Sequence, residues 1–226
     1  LERRVEERTA ALAQRNAELQ IINSIQQGLA SELDFQAIVD LVGDKLRKVF
    51  NGADLDITWY DEKANLLHYP YVYEHGKRIT GTPKPPRSGG LFETLANMRQ
   101  PIVLDTIEDA KKLNAVNHTP GTDLPKSSII VPIISSDRVL GGIGINDYER
   151  EHAFGESELR LLATVSASLG TALENARLFD ETQRLLKETE QRNAELAIIN
   201  SIQQGLASRL EMQDIYDLVG EKIREV

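Results

Sequence analysis

The residues best suited to bind a small molecule lie in the loop-rich middle of the chain. Arg87 and Ser88 are followed by Gly89 and Gly90, which directly precede a predicted helix. Two glycines ahead of a helix allow backbone N–H groups to converge on an anion, and the helix dipole adds to the attraction. The alternative is a flexible turn in which Ser88 caps the helix, and we favour it because such glycine pairs are common.

Aromatic residues form a second candidate group, which would line an apolar pocket. Its members are Trp59, Tyr69, Tyr71, Tyr73 and Phe92. The tyrosines alternate along a predicted strand, so their rings are expected to share one sheet face. We predict that Tyr73 and Phe92 contact a ligand, because both border the irregular middle. Asp105, between a predicted strand and a predicted helix, would bind a polar ligand edge or cap the helix, and we adopt capping.

The residue pattern gives little support for a metal site or for catalysis. The four histidines are His68, His75, His118 and His152, and none is at metal-ligand spacing with another ligand residue. Haem ligation would fall to His75 or His118. Neither a phosphate-binding P-loop nor a nucleophile elbow is present. We therefore expect the segment to have no catalysis of its own, and we predict no metal and no certain cofactor.

Composition narrows the functional classes further. The formal net charge of -9 argues against a nucleic-acid surface. The chain contains no cysteine, which excludes disulfides, thiol redox chemistry and a bilin attached covalently within it. No apolar run approaches the roughly 18 residues of a membrane span, so we expect a cytoplasmic location without direct membrane contact.

The chain repeats itself over two stretches of equal length. Residues 14–49 (the first copy) and residues 191–226 (the second copy) are identical at roughly three positions in four, at an offset of about 177 residues. A period of this size is that of a whole domain. We therefore expect one complete unit of a tandem array followed by the truncated start of another, taken from a larger protein.

Apolar spacing predicts the flanking helices and their partners. In residues 1–30 a coiled-coil-like stripe is formed by Leu1, Val5, Leu12, Leu19, Ile22 and Leu29. Arg8, Arg15 and Gln26 interrupt the stripe. We predict that Leu12, Leu19 and Ile22, together with Leu169 and Leu173 of the last helix, form a dimer and relay surface. The alternative is a helix that packs on its own domain.

Between these helices the pattern changes to that of an antiparallel sheet. Helices are predicted at 34–50, 91–98, 105–113 and 157–207, and strands at 55–59, 67–73, 101–104, 128–134 and 139–145. Pro70 indicates an edge position or a bulge. This order predicts an α+β domain built on one antiparallel sheet.

The C-terminal part of this pattern resembles a known family. The runs IIVPIISSDRVLGGIGINDYE and AFGESELRLLATVSASLGTALENARLF closely resemble the C-terminal half of GAF domains, and LERRVEERTAAL resembles their signalling helix. The resemblance implies a central antiparallel sheet with helices on one face and a small-molecule pocket, walled by residues 75–126, on the other. It divides the chain into a signalling helix (1–30), a GAF domain (31–180), and a linker with the start of a second repeat (181–226).

The resemblance does not identify a ligand. Cyclic-nucleotide-binding members carry an Asn-Lys…Phe-x-x-x-Asp-Glu signature, whereas here Asn146 precedes Asp147 and Phe154 is followed by Glu158 and Leu159. We interpret Asn146, Phe154 and Glu158 as a turn, a core ring and a helix start. The expected function is a homodimeric sensory and relay domain acting on a downstream output domain of a sensor histidine kinase or nucleotide cyclase. The alternatives are a structural spacer and a cyclic-nucleotide-binding domain.

Overall fold

The computed structural model describes residues 2–115 and 123–224. The predictions for His118 and for the side chain of Leu12 lie outside this described part. The chain divides into two compact units, Leu1–Arg177 and Leu178–Val226. In chain order the elements are α1 (Glu2–Ala30), α2 (Phe35–Val49), β1 (Asp54–Asp61), β2 (Leu66–Glu74), β3 (Lys77–Arg78), α3 (Leu91–Met98), β4 (Ile102–Leu104), α4 (Ile107–Lys112), β5 (Ser127–Ser135), β6 (Arg138–Asp147) and α5 (Glu156–Arg224).

The strands form one sheet in the order β3-β2-β1-β6-β5-β4. Each neighbouring pair is antiparallel. The hairpin between β5 and β6 turns at Ser136 and Asp137, which both have positive φ, as a two-residue hairpin turn requires. The predicted α+β class with a central antiparallel sheet is therefore confirmed.

One face of the sheet carries the main hydrophobic core. Helices α1, α2 and the beginning of α5 supply the apolar layer that covers it, because each places an apolar stripe toward the strands. The helix residues buried there include Ile25, Leu29, Ile38, Val39, Val42, Leu46, Leu162, Val165, Leu169 and Leu173. They pack against Leu55, Ile57, Tyr71, Ile129, Val131, Ile133, Ile143 and Ile145 of the sheet.

The other face carries α3 and α4, together with described irregular residues before α3 and after α4. A smaller apolar cluster forms there from Leu95, Ile102, Leu104 and Ala110. Helix α3 has the bounds that the sequence predicts. Helix α4 is capped by Thr106, whose hydroxyl accepts from the Asp109 N–H. The prediction that Asp105 caps this helix is therefore wrong by one residue.

A bulge in β2 divides its side chains between the two faces. Tyr69 and Pro70 together lie opposite the single residue Thr58, because the register between β1 and β2 shifts at this point. A bulge inserts one residue and reverses the alternation that follows. Tyr69 consequently faces away from the helices, whereas Tyr71 and Tyr73 pack into the main core. Of the two interpretations of Pro70, an edge position or a bulge, the structure shows the bulge, and the prediction that the tyrosines share one face is wrong.

Candidate functional site

A cavity of about 180 Å³ lies on the sheet face opposite the three covering helices. Its floor is formed by β1, β2, β5 and β6, and its walls by α3, β4, α4 and irregular residues that precede α3 or follow α4. The wall side chains are mostly apolar, as in small-molecule sites generally. The lining residues are Asp56, Thr58, Leu67, Tyr69, Lys84, Pro85, Arg87, Gly90, Leu91, Phe92, Leu95, Leu104, Ala110, Asn114, Ala115, Leu124, Pro125, Ser128, Ile130, Asn146 and Tyr148.

A hydrogen-bonded polar group occupies the floor of this cavity. The Asn146 side chain donates from Nδ2 to Asp56 Oδ1 at 3.0 Å, and its Oδ1 accepts from the Ser128 hydroxyl at 2.7 Å. Both partners of the amide are buried. The two contacts fix which end of the amide faces each neighbour. A carboxylate has lone pairs for several donors, so Asp56 is suited to accept from an N–H or O–H group of a ligand.

Glycines in β6 make room for this polar group. Gly142 and Gly144 occupy alternate positions on the same sheet face as Asn146. A Cβ on Gly144 would lie 2.6 Å from Asp56 Oδ1, and one on Gly142 would lie 3.0 Å from Leu95 Cδ2. A side chain on Gly144 would displace Asp56 on the floor, because real Cβ atoms essentially never approach so closely, whereas one on Gly142 would press on the Leu95 side chain of α3. Glycine inside a strand often marks such a close approach.

Two tyrosines supply neutral hydroxyl groups to the cavity. Burial raises the pKa of Tyr148, and the charge of Glu74, whose Oε1 accepts the Tyr148 hydroxyl at 3.3 Å, raises it further. Burial also raises the pKa of Tyr69, with the Asp56 charge adding to the effect and Arg87 opposing it. Both hydroxyls therefore stay protonated across the physiological pH range. The Tyr148 hydroxyl donates its proton to Glu74, so its oxygen can serve a further group only as an acceptor.

The structure brings only part of the predicted ligand-binding set to the cavity. Phe92 and Gly90 line it, and the Phe92 ring lies 4.9 Å from that of Tyr60. Tyr73 lies on the helix-covered face instead, where the Arg47 guanidinium stacks 3.5 Å above its ring. The bulge explains this displacement, since Tyr73 follows it. The expectation of a Tyr73 contact with a cavity ligand is thus inconsistent with its position.

The loop before α3 uses its own groups to satisfy its glycine N–H donors. Gly89 donates to the Glu93 carboxylate, and Gly90 donates to the Arg87 carbonyl at 3.1 Å. An anion site here would need these donors, so the loop does not offer the predicted anion-binding geometry. Gly90 occupies the N-cap position without a side-chain cap bond, which also corrects the expectation that Ser88 caps the helix.

The remaining predicted binding residue lies beside the cavity rather than on its lining. The Asp105 carbonyl accepts from the His152 N–H at 2.9 Å. Its carboxylate lies 3.7 Å from His152 Nδ1, and the two side chains form an exposed pair. Asp105 therefore connects β4 to the segment before α5. No group of three His, Asp or Glu side chains within residues 2–115 and 123–224 is placed to hold a metal ion.

Sequence reasoning missed the polar floor, although one signal for it was available. The sequence pattern predicts Asn146 in a turn, whereas the residue lies within β6 and lines the cavity. The alternating glycines at 142 and 144 indicate that something approaches this face closely. Phe154 packs against the main core, as expected. The Gly155 N–H donates to Glu158 Oε2 at 2.9 Å, which agrees with the interpretation of Glu158 as part of the helix start.

The predicted dimer and relay residues are placed very differently from one another. Leu19 on α1 is 55% exposed, whereas Ile22 is partly buried against the main core. Leu169 and Leu173 are 0% and 1% exposed. These two leucines are core residues of their own domain and are not available to a dimer surface, which corrects that part of the prediction. Within the described residues, no helix is long and apolar enough to cross a bilayer.

Comparison with known proteins agrees with this architecture. The GAF domain family matches residues 32–174. The free methionine-R-sulfoxide reductase from Neisseria meningitidis, in complex with its substrate, is 17% identical with a TM-score of 0.58, covering 71% of this chain and 90% of that chain. A segment of a methyl-accepting chemotaxis protein is 14% identical with a TM-score of 0.59, covering 69% and 98%. A far-red absorbing dark state with bound biliverdin IXα is 17% identical with a TM-score of 0.53, covering 70% and 99%.

At these identities the solved structures show a shared fold, and that fold occurs in a reductase as well as in signalling proteins. The family match is independent of them and spans more than half of the chain. It includes the whole sheet, the covering helix α2, and the cavity described above. The chain belongs to the GAF domain family.

Proposed function

We propose that this chain is a non-catalytic sensory and relay domain that binds a small molecule in the cavity on its sheet. The observation that carries the proposal is the combination of an apolar wall with the Asp56–Asn146–Ser128 group on the floor. Such a site favours the binding of a ligand that has an apolar body and one edge with an N–H or O–H donor. Lys84 and Arg87 at the wall favour a ligand that also carries an acceptor or a negative charge.

The sheet offers a direct route from the cavity to the helices. In β1, Asp56 and Thr58 line the cavity while Ile57 between them packs against the helices. On the helix side, the Ser166 hydroxyl of α5 donates to the Pro132 carbonyl of β5 at 2.7 Å. A ligand that displaces a strand would therefore also shift α5, because the sheet and this helix are in direct contact. This contact supports coupling between the cavity and α5. We propose that dimeric helices carry the signal further, to an output domain such as a histidine kinase or nucleotide cyclase.

Two alternatives can be separated from this proposal. A cavity of about 180 Å³ is smaller than the roughly 300–1,000 Å³ typical of drug-sized ligands, which favours a small metabolite over a cyclic nucleotide. A structural spacer would need no ligand. The relatives that contain a substrate or biliverdin support ligand binding by the fold, without indicating the ligand of this chain.

Ligand binding is tested by thermal shift and native mass spectrometry of the purified chain. The panel comprises free amino acids, nucleobases, cyclic AMP, cyclic GMP and biliverdin. A binder should raise Tm by several degrees, because it stabilises only the folded state. The shift should disappear in Asn146→Ala and persist in Asn23→Ala, a matched change on the exposed surface of α1. If the panel produces no shift and no co-purifying mass is found, the spacer function is favoured instead.

Dimer formation is tested separately by size-exclusion chromatography with light scattering. Leu19→Asp places a charge on the exposed part of the α1 stripe and should dissociate a dimer that uses it. Leu33→Asp is the matched control, because Leu33 is also exposed but lies outside the stripe. A parent chain that is monomeric at tens of micromolar would contradict the dimeric relay.

A further inference from the structure

The second copy repeats most residues of the first copy, but in α5 its apolar side chains are exposed. In the first copy, six apolar side chains are buried against the sheet: Ile25, Leu29, Ile38, Val39, Val42 and Leu46. Their counterparts at an offset of about 177 are exposed on α5: Ile202, Leu206, Ile215, Tyr216, Val219 and Ile223. An apolar surface of this extent on a helix is typical of an interaction site.

The second copy also retains residues whose purpose in the first copy is to contact the sheet. A Cβ on Gly43 would overlap the ring of Tyr71, so only glycine allows α2 to approach the sheet at this point. The counterpart Gly220 is kept, although an added Cβ there would meet nothing within 4 Å. Glycine in a helix interior costs about 1 kcal/mol relative to alanine. Retaining it in an exposed helix has no local benefit.

Polar contacts with the sheet follow the same rule. Asp44 accepts the Tyr71 hydroxyl at 2.8 Å, and the corresponding residue is the acidic Glu221. Asp40 pairs with Arg78 of β3, and the corresponding Asp217 is unchanged. A helix that served only as a coiled coil or linker would not require these particular groups at these spacings.

The backbone of the two copies differs at one place. In the first copy the chain breaks at residues 31–34, where the Asp34 side chain accepts from the Ala37 N–H at 2.7 Å and begins α2. In the second copy the corresponding residues 208–211 continue within α5, and Glu211 stands where Asp34 does in the first copy. Aspartate is a stronger N-cap residue than glutamate. The second copy therefore carries apolar residues at the same positions as those of α1 and α2 that pack on the sheet, but it carries them on one uninterrupted helix.

From these observations we infer that the second copy is a second helical cover that binds the helix-facing side of another GAF-type sheet. The residues it retains define that partner: a sheet with an aromatic ring opposite Gly220 and a hydroxyl donor within reach of Glu221. On binding, residues 208–211 would form the break that the first copy shows, because only a bent segment places both helices on one sheet.

A transplant into the full chain tests whether the second copy can cover such a sheet. The first copy is converted into the sequence of the second by Gln20→Ala, Glu32→Arg, Asp34→Glu, Phe35→Met, Ala37→Asp, Val39→Tyr, Asp44→Glu, Leu46→Ile and Lys48→Glu. We expect cooperative thermal unfolding with a Tm within about 10 °C of the parent, since the apolar pattern is preserved. A second transplant keeps Val39, because tyrosine at this buried position could overpack the core.

Folding of either transplant supports the inference, and loss of cooperative unfolding in both overturns it. Gly43→Ala added to the folded transplant should lower Tm by several degrees, as in the parent, whereas an unchanged Tm would show that the helix no longer lies on Tyr71. Light scattering tests a different occupant. If Ile215→Asp with Val219→Asp converts a dimeric parent chain into a monomer, the surface pairs with its own copy, and the inference is wrong.

Discussion

The first copy and the second copy show how strongly burial decides the structure of one sequence. About three residues in four are identical. Against the sheet the segment forms two helices joined by a short break, and in the second unit it is part of one helix. In the second copy the helix continues through the positions of the break, where Glu211 replaces Asp34. In the first copy the Asp34 cap and the contacts of the apolar face together determine where the chain bends. The comparison can be tested with matched substitutions in the two copies.

The largest difference is expected for truncation of a shared isoleucine. Ile38→Ala removes a fully buried side chain from the main core and should lower the free energy of unfolding by about 2–5 kcal/mol. Ile215→Ala changes a side chain that is 57% exposed and should alter it by less than about 0.5 kcal/mol. Urea unfolding of the two variants measures the difference. Equal effects would mean that the second copy is already packed on a sheet in solution.

The next largest difference is expected for the retained glycines. Gly43→Ala introduces a methyl group into the space of the Tyr71 ring, and we expect a loss of about 1–3 kcal/mol from overpacking. Gly220→Ala meets no neighbour and should stabilise its helix by up to about 1 kcal/mol. Urea unfolding measures the first effect, and helical content by circular dichroism measures the second. Destabilisation by both changes would contradict the comparison.

The hydroxyl group of Tyr71 makes a smaller, pH-dependent contribution to the free energy of unfolding, through its hydrogen bond to Asp44 of the first copy. Burial, strengthened by the hydrogen bond to Asp44, raises the pKa of Tyr71 in the folded chain. In the unfolded chain the pKa is about 10. The folded state thus keeps a proton that the unfolded state loses, and the resulting stability is complete below about pH 10 and declines as the pH rises further.

Tyr71→Phe tests this linkage. At pH 8 we expect a loss of about 1 kcal/mol from the missing hydrogen bond. Between pH 10 and 11 the decline in unfolding free energy should be shallower in the variant than in the parent, with Tyr216→Phe as the exposed control. Urea titrations at the three pH values provide the measurement. Parallel declines in parent and variant would show that Tyr71 is not the group responsible.

The smallest difference is expected for a charge that both copies share. Asp40 pairs with Arg78 and also accepts from Gln36 Nε2 at 3.1 Å, but the ion pair is well exposed to solvent. Asp40→Ala should cost about 0.2–1 kcal/mol, decreasing with added salt. Asp217→Ala should have no measurable effect. Unfolding at low and high ionic strength distinguishes this ion pair from a purely structural role of Asp40.

The sequence predicts a helix or strand well wherever a single spacing of apolar residues extends along the whole element. Helix α3 and the β5–β6 hairpin follow directly from apolar spacing and turn residues. The predicted end of α5 near residue 207 is too early, because the helix continues to Arg224 through the positions that correspond to the break in the first copy. Thr106 rather than Asp105 caps α4, since either residue type can cap and only the chain path selects between them.

The cavity was less predictable because it depends on contacts between distant strands. Asn146, Asp56 and Ser128 come from three strands, and their proximity is set by sheet register. Tyr73 borders the irregular middle in the sequence, but the bulge at Pro70 turns it to the helix-covered face, away from Tyr69. The Gly89–Gly90 loop shows a further limit, since the competing carboxylate of Glu93 is four residues away and belongs to the helix itself.

The bulge at Pro70 also has a consequence for how this domain can diverge. Because one extra residue separates Tyr69 on the cavity side from Tyr71 on the helix side, β2 presents two chemical environments in a fixed order. A point substitution on either side of Pro70 alters one environment and leaves the other intact. A single-residue deletion elsewhere in the strand would turn the positions beyond it to the opposite face. Relatives that keep both a cavity and a helical cover in this form should therefore differ freely in the composition of β2 but not in its length.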